Sequence, residues 1–308
     1  MNAFLRLLVS GAALGAATLG WATGVERQWY ALRHVTVPVL RPAARRPLRI
    51  LHVSDLHLLP GQARLPTFLD QCLSTGPDLV VATGDLIGDP HMIDPAVELL
   101  AHVRGNRPGL VVLGSNDLYA SHPRNPLDYL LAPARRRVGR RLATHRLADG
   151  LRVTGWDLID NHRSTVDTPA GILDVVGLGD PHIGRDRPER IDWRPWPSGR
   201  AAPALRLGVV HAPYLRTLDR FDREAFDLVL AGHTHGGQVR LPGVGALAAN
   251  CDLPLDQARG VSRHGGALWL HVSAGLGHSR YAPYRLACRP EATVLDLVHA
   301  PPPGQSAD

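Results

Sequence analysis

The chain has 308 residues, 44% hydrophobic and 20% charged, which is enough to bury a full core and too apolar for a disordered protein. Its net charge of +6 comes from arginine alone, since no lysine occurs; that one-sidedness points to coding bias, and nucleic acid is not an expected partner. Three widely spaced cysteines, Cys72, Cys251 and Cys288, form no CxxC pair, and an odd count argues against a disulfide framework.

From the amino terminus, Leu7 to Val25 carries no charge between Arg6 and Glu26. A helix there reaches about 28 Å, close to the hydrocarbon thickness of a bilayer. Residues 1–26 are therefore expected to be an uncleaved membrane anchor, with a signal peptide as the rival reading. The arginines that follow lean the rest of the chain toward the cytoplasmic face. Residues 27–47, rich in Arg and Pro, suggest a short edge strand around His34–Val37 and then a linker. The main domain is expected over 48–300 and a disordered tail over 301–308.

Within that domain, 48–55 and 78–85 read as buried strands, 65–75 and 94–104 as helices, and 109–117 as a third strand. Strand, helix, strand, helix, strand at this spacing is a parallel α/β unit. Residues 146–158 suggest a hairpin about Asp149-Gly150. Runs over 172–180, 205–213, 226–237, 267–277 and 292–300 give a strand-rich second half.

Several of these apolar runs stop at residues suited to metals: Asp55-Leu56-His57, Gly84-Asp85, His211, and Gly232-His233-Thr234-His235-Gly236-Gly237. Singly, each has a structural explanation. Together they matter, because the carboxyl ends of strands in an open α/β sheet meet at one edge. Clustered carboxylates repel there unless cations relieve the charge, and mixed Asp and His donors suit Mn, Fe or Zn.

The series DLH, GD, GSND, H and GHTHGGQ resembles the calcineurin-like metallophosphoesterase superfamily over about Arg49 to Leu297, and within it the membrane-associated bacterial subgroup related to UDP-diacylglucosamine hydrolases. The resemblance implies an α/β/β/α sandwich of two mixed sheets flanked by helices, here with an N-terminal hydrophobic helix. It also implies two divalent metal ions that activate a water to cleave a phosphodiester or pyrophosphate bond, on a phosphorylated small-molecule or lipid-linked substrate. Carried over by position, Asp55, His57 and His235 would bind one metal, His211 and His233 the other, and Asp85 both. Thr234 and Gln238 are candidates for fixing imidazole tautomers. The pattern departs at Gly114-Ser115-Asn116-Asp117, where the family usually has Gly-Asn-His-Asp/Glu. Either Asn116 supplies the amide ligand after a local shift and no general acid remains, or Ser115 completes the metal and Asn116 bonds the leaving oxygen; His122 is a possible replacement acid. The lost acid leaves a second reading open, a non-catalytic descendant that binds metal and an anion.

Overall fold

The computed structural model describes residues 3–122 and 139–300. The tail expected to be disordered, 301–308, lies outside them, as does the run Arg135-Arg136-Arg137, which the sequence offers either as a contact for an anionic substrate or lipid headgroup or as a solvated helix face.

Two six-stranded mixed sheets face each other, and a small two-stranded sheet pairs β10 (Arg240–Leu241) with β11 (Gly245–Ala246). The first has the order β1 (Ala31–Leu40), β14 (Glu291–His299), β2 (Leu48–Val53), β3 (Leu79–Ala82), β4 (Gly109–Val111) and β5 (Asp157–Leu158). From β2 to β5 the strands are parallel, while β14 runs antiparallel to β2 and parallel to β1. The second has the order β12 (Gly260–His264), β13 (Leu268–Val272), β9 (Leu228–Ala231), β8 (Leu205–Val210), β7 (Gly171–Leu178) and β6 (His162–Thr168). Its inner strands, β13-β9-β8-β7, are parallel, and its two edges pair antiparallel.

Alternation along the strands builds the layers, because successive side chains point to opposite faces. Ile50, Leu79, Val81 and Leu110 of the first sheet meet Leu173, Leu207, Val209 and Leu230 of the second in one buried core. The alternate residues, Leu51, Val53, Val80 and Ala82, face outward onto α2 (Arg64–Leu73), α3 (Ile93–Arg104) and the helix Thr144–Val153. Val176, Val210 and Val229 likewise cover Leu218 and Phe221 of the helix Leu215–Arg223. This is the α/β/β/α sandwich that the motifs imply.

Three expectations need correction. The hairpin about Asp149-Gly150 is instead the helix Thr144–Val153 followed by β5. Asp-Gly is a strong hairpin signal, but Leu147, Ala148 and Leu151 lie on one helical face and bury it. Gly150 is there because α3 comes close: a Cβ on it would stand 2.7 Å from Val97 Cγ2. Second, 27–47 is not a linker to the domain. Its strand is ten residues long and forms the edge of the first sheet, in register from Ala31 opposite Glu291. Third, the transmembrane anchor is not supported. Helix α1 (Ala3–Gly20) has 18 residues, and among the described residues no helix is long and apolar enough to cross a membrane. Its many Ala and Gly residues add length with little transfer free energy. Just beyond it the chain is tied to the domain, Ala22 O accepting from Arg285 N and Glu26 Oε1 from Cys288 N.

Candidate metal centre

The site collects at the carboxyl ends of β2, β3, β4, β8 and β9, on both sheets. There the backbone turns sharply. Asp55, His57, Asp85, His233 and His235 all have positive φ, between 39° and 70°. Side chains rarely adopt this left-handed region, and such strain concentrates at functional sites. Glycines make room for the crowding. A Cβ on Gly232 would lie 1.9 Å from Ser54 Oγ and 2.4 Å from Asp55 Oδ2, and one on Gly114 would lie 2.2 Å from Asp85 Oδ1.

Two overlapping groups of donor atoms result, Asp55 with His57 and His235, and Asp55 with Asp85 and His211; within each the atoms lie within 4.8 Å of one another. Asp85 Oδ2 stands between them, 3.4 Å from His57 Nε2 and 3.6 Å from His211 Nε2. His57 Nε2 and His235 Nε2 are 3.1 Å apart. His233 is beside these groups rather than in them: its ring is 5.1 Å from that of His211, and its Nε2 is 3.2 Å from Asn250 O.

The electrostatics of these groups follow from their burial together. Burial pushes the Asp55 carboxyl up to about 6, and Asp85 adds to the rise. Burial acts the same way on Asp85 but is outweighed by His211, so Asp85 is held well below the usual range. His211 responds in kind, its burial overcome by Asp85 and Asp180 so that its pKa is raised. Burial lowers His57 to about 4 and keeps His233 and His235 neutral as well. A metal ligand must be unprotonated, so these three imidazoles are ready to coordinate. Asp55 Oδ1 and His211 Nε2 are buried without a hydrogen-bond partner. Unpaired buried polar atoms are costly. A divalent cation satisfies both, so the residues present fit one.

The segment after β4 is a single helical turn, Ser115–Leu118. Asn116 reaches the centre, its backbone N–H donating to Asp85 Oδ1 at 2.8 Å and its Nδ2 to Asp85 Oδ2 at 2.6 Å. Its Oδ1 accepts from Ser121 Oγ at 2.6 Å, so the amide oxygen expected as a ligand is turned away from the donor groups. Turning the amide over exchanges these roles, and Ser121 Oγ can accept as readily as donate.

Other residues give the site its shape, and the sequence carried little signal for them. Asp117 is fully buried and accepts from Leu86 N, Ile87 N and Gly114 N, stapling the Asn116 turn to the loop of Asp85. The partners of the imidazoles are Thr83 O for His211, Arg285 for His235 and Asn250 for His233. The two expected tautomer partners do other work: Thr234 Oγ1 donates to Ala258 O, and Gln238 Nε2 to Ala282 O and Tyr284 O. His182, in the Gly179-Asp180-Pro181-His182 stretch, packs 4.3 Å from the His233 ring and bonds Tyr214 OH.

A family model described as calcineurin-like phosphoesterase matches residues 48–237. The chain is 26% identical over 298 residues to phosphodiesterase YaeI of Escherichia coli, covering 92% of this chain and 96% of that one. It is 26% identical over 306 residues to the uncharacterized metallophosphoesterase YkuE of Bacillus subtilis, covering 96% of each. A bovine transmembrane protein with a metallophosphoesterase domain is 27% identical over 88% of this chain, which spans 58% of that protein. The matches establish the family and not the UDP-diacylglucosamine hydrolase subgroup.

Proposed function

This chain belongs to the calcineurin-like phosphoesterase family, and we propose that it hydrolyses a phosphodiester or pyrophosphate bond at a centre of two divalent ions. In this reading Asp55, His57 and His235 hold one ion, His211 and His233 the other, and Asp85 lies between them. The observation that carries it is the meeting of Asp55, His57, Asp85, His211 and His235 with two buried donor atoms left unpaired. Mixed imidazole and carboxylate donors suit Mn, Fe or Zn. When bound, such ions supply Lewis acidity toward the phosphoryl oxygens and lower the pKa of water for in-line attack.

The protein's own groups do the rest. His211 keeps Asp85 ionised, and the Asn116 amide fixes the orientation of that carboxylate. Asn116 occupies the place of the usual acid histidine, and an amide can bond a leaving oxygen without giving it a proton. General acid help is typically worth about 10²–10⁴-fold, so its absence favours leaving groups that are stable as anions, phosphoanhydrides before alkyl esters. A phosphoester joined to an apolar portion suits the exposed apolar residues of α1, and membrane association through α1 belongs to the same proposal.

The test is hydrolysis of bis(p-nitrophenyl) phosphate by the full chain with added Mn²⁺, against Asp85→Ala. The variant should lose at least about a hundredfold in kcat/KM, because several kcal/mol of charge stabilisation depends on the ions. Equal background rates in both proteins would establish the non-catalytic reading instead.

A further inference from the structure

Strand alternation puts His52 in the inward row of β2, after Leu48 and Ile50, and His271 in the inward row of β13, after Trp269. Both rings are buried, and polar groups at that depth are costly unless bonded. Burial keeps them neutral, lowering His271 to about 4 and His52 well below its usual value. They meet across the two sheets, His52 Nδ1 lying 2.8 Å from His271 Nδ1. From this pair, contacts run unbroken to the candidate centre. His52 Nε2 is 2.9 Å from Thr83 Oγ1, Thr83 Oγ1 is 2.7 Å from Ser54 Oγ, and Ser54 Oγ is 2.5 Å from Asp55 Oδ2. We propose that this series of hydrogen bonds orients the Asp55 carboxylate toward its ion, with His52 and His271 as positioning residues that act through Thr83 and Ser54. This rests on the two-ion reading above.

Counting hydrogens fixes the direction of the series. A carboxylate that binds a cation is ionised and only accepts, so Ser54 donates to it. With its one hydrogen used, Ser54 Oγ accepts from Thr83, and Thr83 Oγ1 in turn accepts from His52 Nε2–H. Neutral His52 then has a bare Nδ1, which accepts from His271 Nδ1–H. The series engages Asp55 Oδ2, as does His233 N at 2.9 Å, and Oδ1 is the buried atom left without a partner. That free oxygen is the one 3.7 Å from His235 Nε2. Thr83 serves both donor groups, because its carbonyl oxygen accepts from His211 Nδ1 at 2.6 Å and so leaves Nε2 of that ring for an ion. Partners behind a metal ligand fix its orientation in this way.

The experiment is Zn²⁺ titration of the full chain by calorimetry, with thermal unfolding of the metal-free protein and NMR of the histidine ring nitrogens. His52→Leu combined with His271→Leu removes both rings together and strands neither one opposite an apolar group. The double variant should bind Zn²⁺ at least about tenfold more weakly, the lower end of what partners behind a metal ligand contribute. Its metal-free Tm should stay at or above that of the wild type, as when both members of a buried polar pair become apolar. Thr83→Val should also weaken binding, and Thr83→Ser, which keeps the hydroxyl, should restore wild-type affinity. In the Zn²⁺-loaded wild type the proton of His52 should be on Nε2 and that of His271 on Nδ1, a measurement that needs no variant to fold. Unchanged affinity in the folded double variant overturns the proposal, and so does a His271 proton on Nε2. Equal affinity in Thr83→Val and Thr83→Ser also overturns it, being the result for rings that only fill the core. A wild type that binds no Zn²⁺ overturns the metal reading itself, and this proposal with it. Zn²⁺ binding without phosphodiester hydrolysis overturns only the catalytic reading.

Discussion

Replacing Asp117 should loosen the metal centre from behind, although this residue touches no ligand group outside its own loop and that of Asp85. Its Oδ1 accepts from Leu86 N at 2.8 Å and Ile87 N at 3.2 Å, and its Oδ2 from Gly114 N at 2.9 Å. The residue is fully buried, so water cannot replace it. Asp117→Ala leaves three N–H groups without acceptors, at about 1–3 kcal/mol each, a loss of at least about 3 kcal/mol. At about 2–4 °C per kcal/mol for a domain of this size, Tm should fall by at least about 6 °C. Asp117→Asn keeps one oxygen for Leu86 and Ile87 but sets its amide N–H₂ against Gly114 N–H, which should cost about half as much. Thermal unfolding followed by circular dichroism reads the stability, and Mn²⁺ titration reads the site. Metal affinity should fall in the same order, because Leu86 and Ile87 directly follow Asp85. If Asp117→Ala melts within about 1 °C of the wild type, the staple has no energetic weight and the reasoning fails.

Gly232→Ala should abolish metal binding with the fold retained, since the new methyl would displace Ser54 and Asp55; tight Mn²⁺ binding by a folded variant contradicts this. Asn116→Ala removes the single side-chain hydrogen bond to Asp85 Oδ2 and keeps the backbone one, and should cost about 1.5–3 kcal/mol, as expected for a hydrogen bond to a charged group, read by denaturant unfolding. For pH, burial raises Asp160 and Asp180 to about 7, and His211 is raised as well. Groups with raised folded values hold protons that the unfolded chain has released, so each contributes stability that disappears as pH rises through the folded value. His57 and His271, lowered to about 4 by burial, act oppositely, but only below the unfolded histidine value of about 6.5. The metal-free protein should therefore lose Tm between about pH 6.5 and 8, and a flat or rising profile there would contradict the assignment. Because coordination removes the proton from His211, metal affinity should strengthen over the same interval, measured by titration at each pH.

Much of the site was legible because its residues sit immediately after apolar runs. Asp55, His57, Asp85, His211, His233 and His235 each follow a buried strand by a few residues, which marks all six as strand-end residues, although they come from two sheets and not from one edge. Asn116 was legible as a member of the site, but its contact with Asp85 was not, and the amide oxygen expected as a ligand faces Ser121, a partner five residues on that no motif announced. The helix Thr144–Val153 was misread because Asp149-Gly150 is a local turn signal, while the contact with Val97 that makes glycine necessary is made by a distant helix. The sequence also overstated α1 as a membrane span: absence of charge marks a segment as apolar without making Ala and Gly strongly so.

By itself, then, the sequence determined the family and pointed to the strand-end residues that gather at the candidate centre, since strand periodicity and short motifs are local properties. Only the tertiary structure decided that β1 belongs to the sheet through pairing with β14, more than 250 residues later in the chain. It also decided that Asp117 staples two loops, that His182 lies against His233, and that Val239 and Tyr284 line both the pocket beside the candidate centre and the groove under α1. Such contacts join segments far apart along the chain, and they form only when burial of the two sheets closes the core between them.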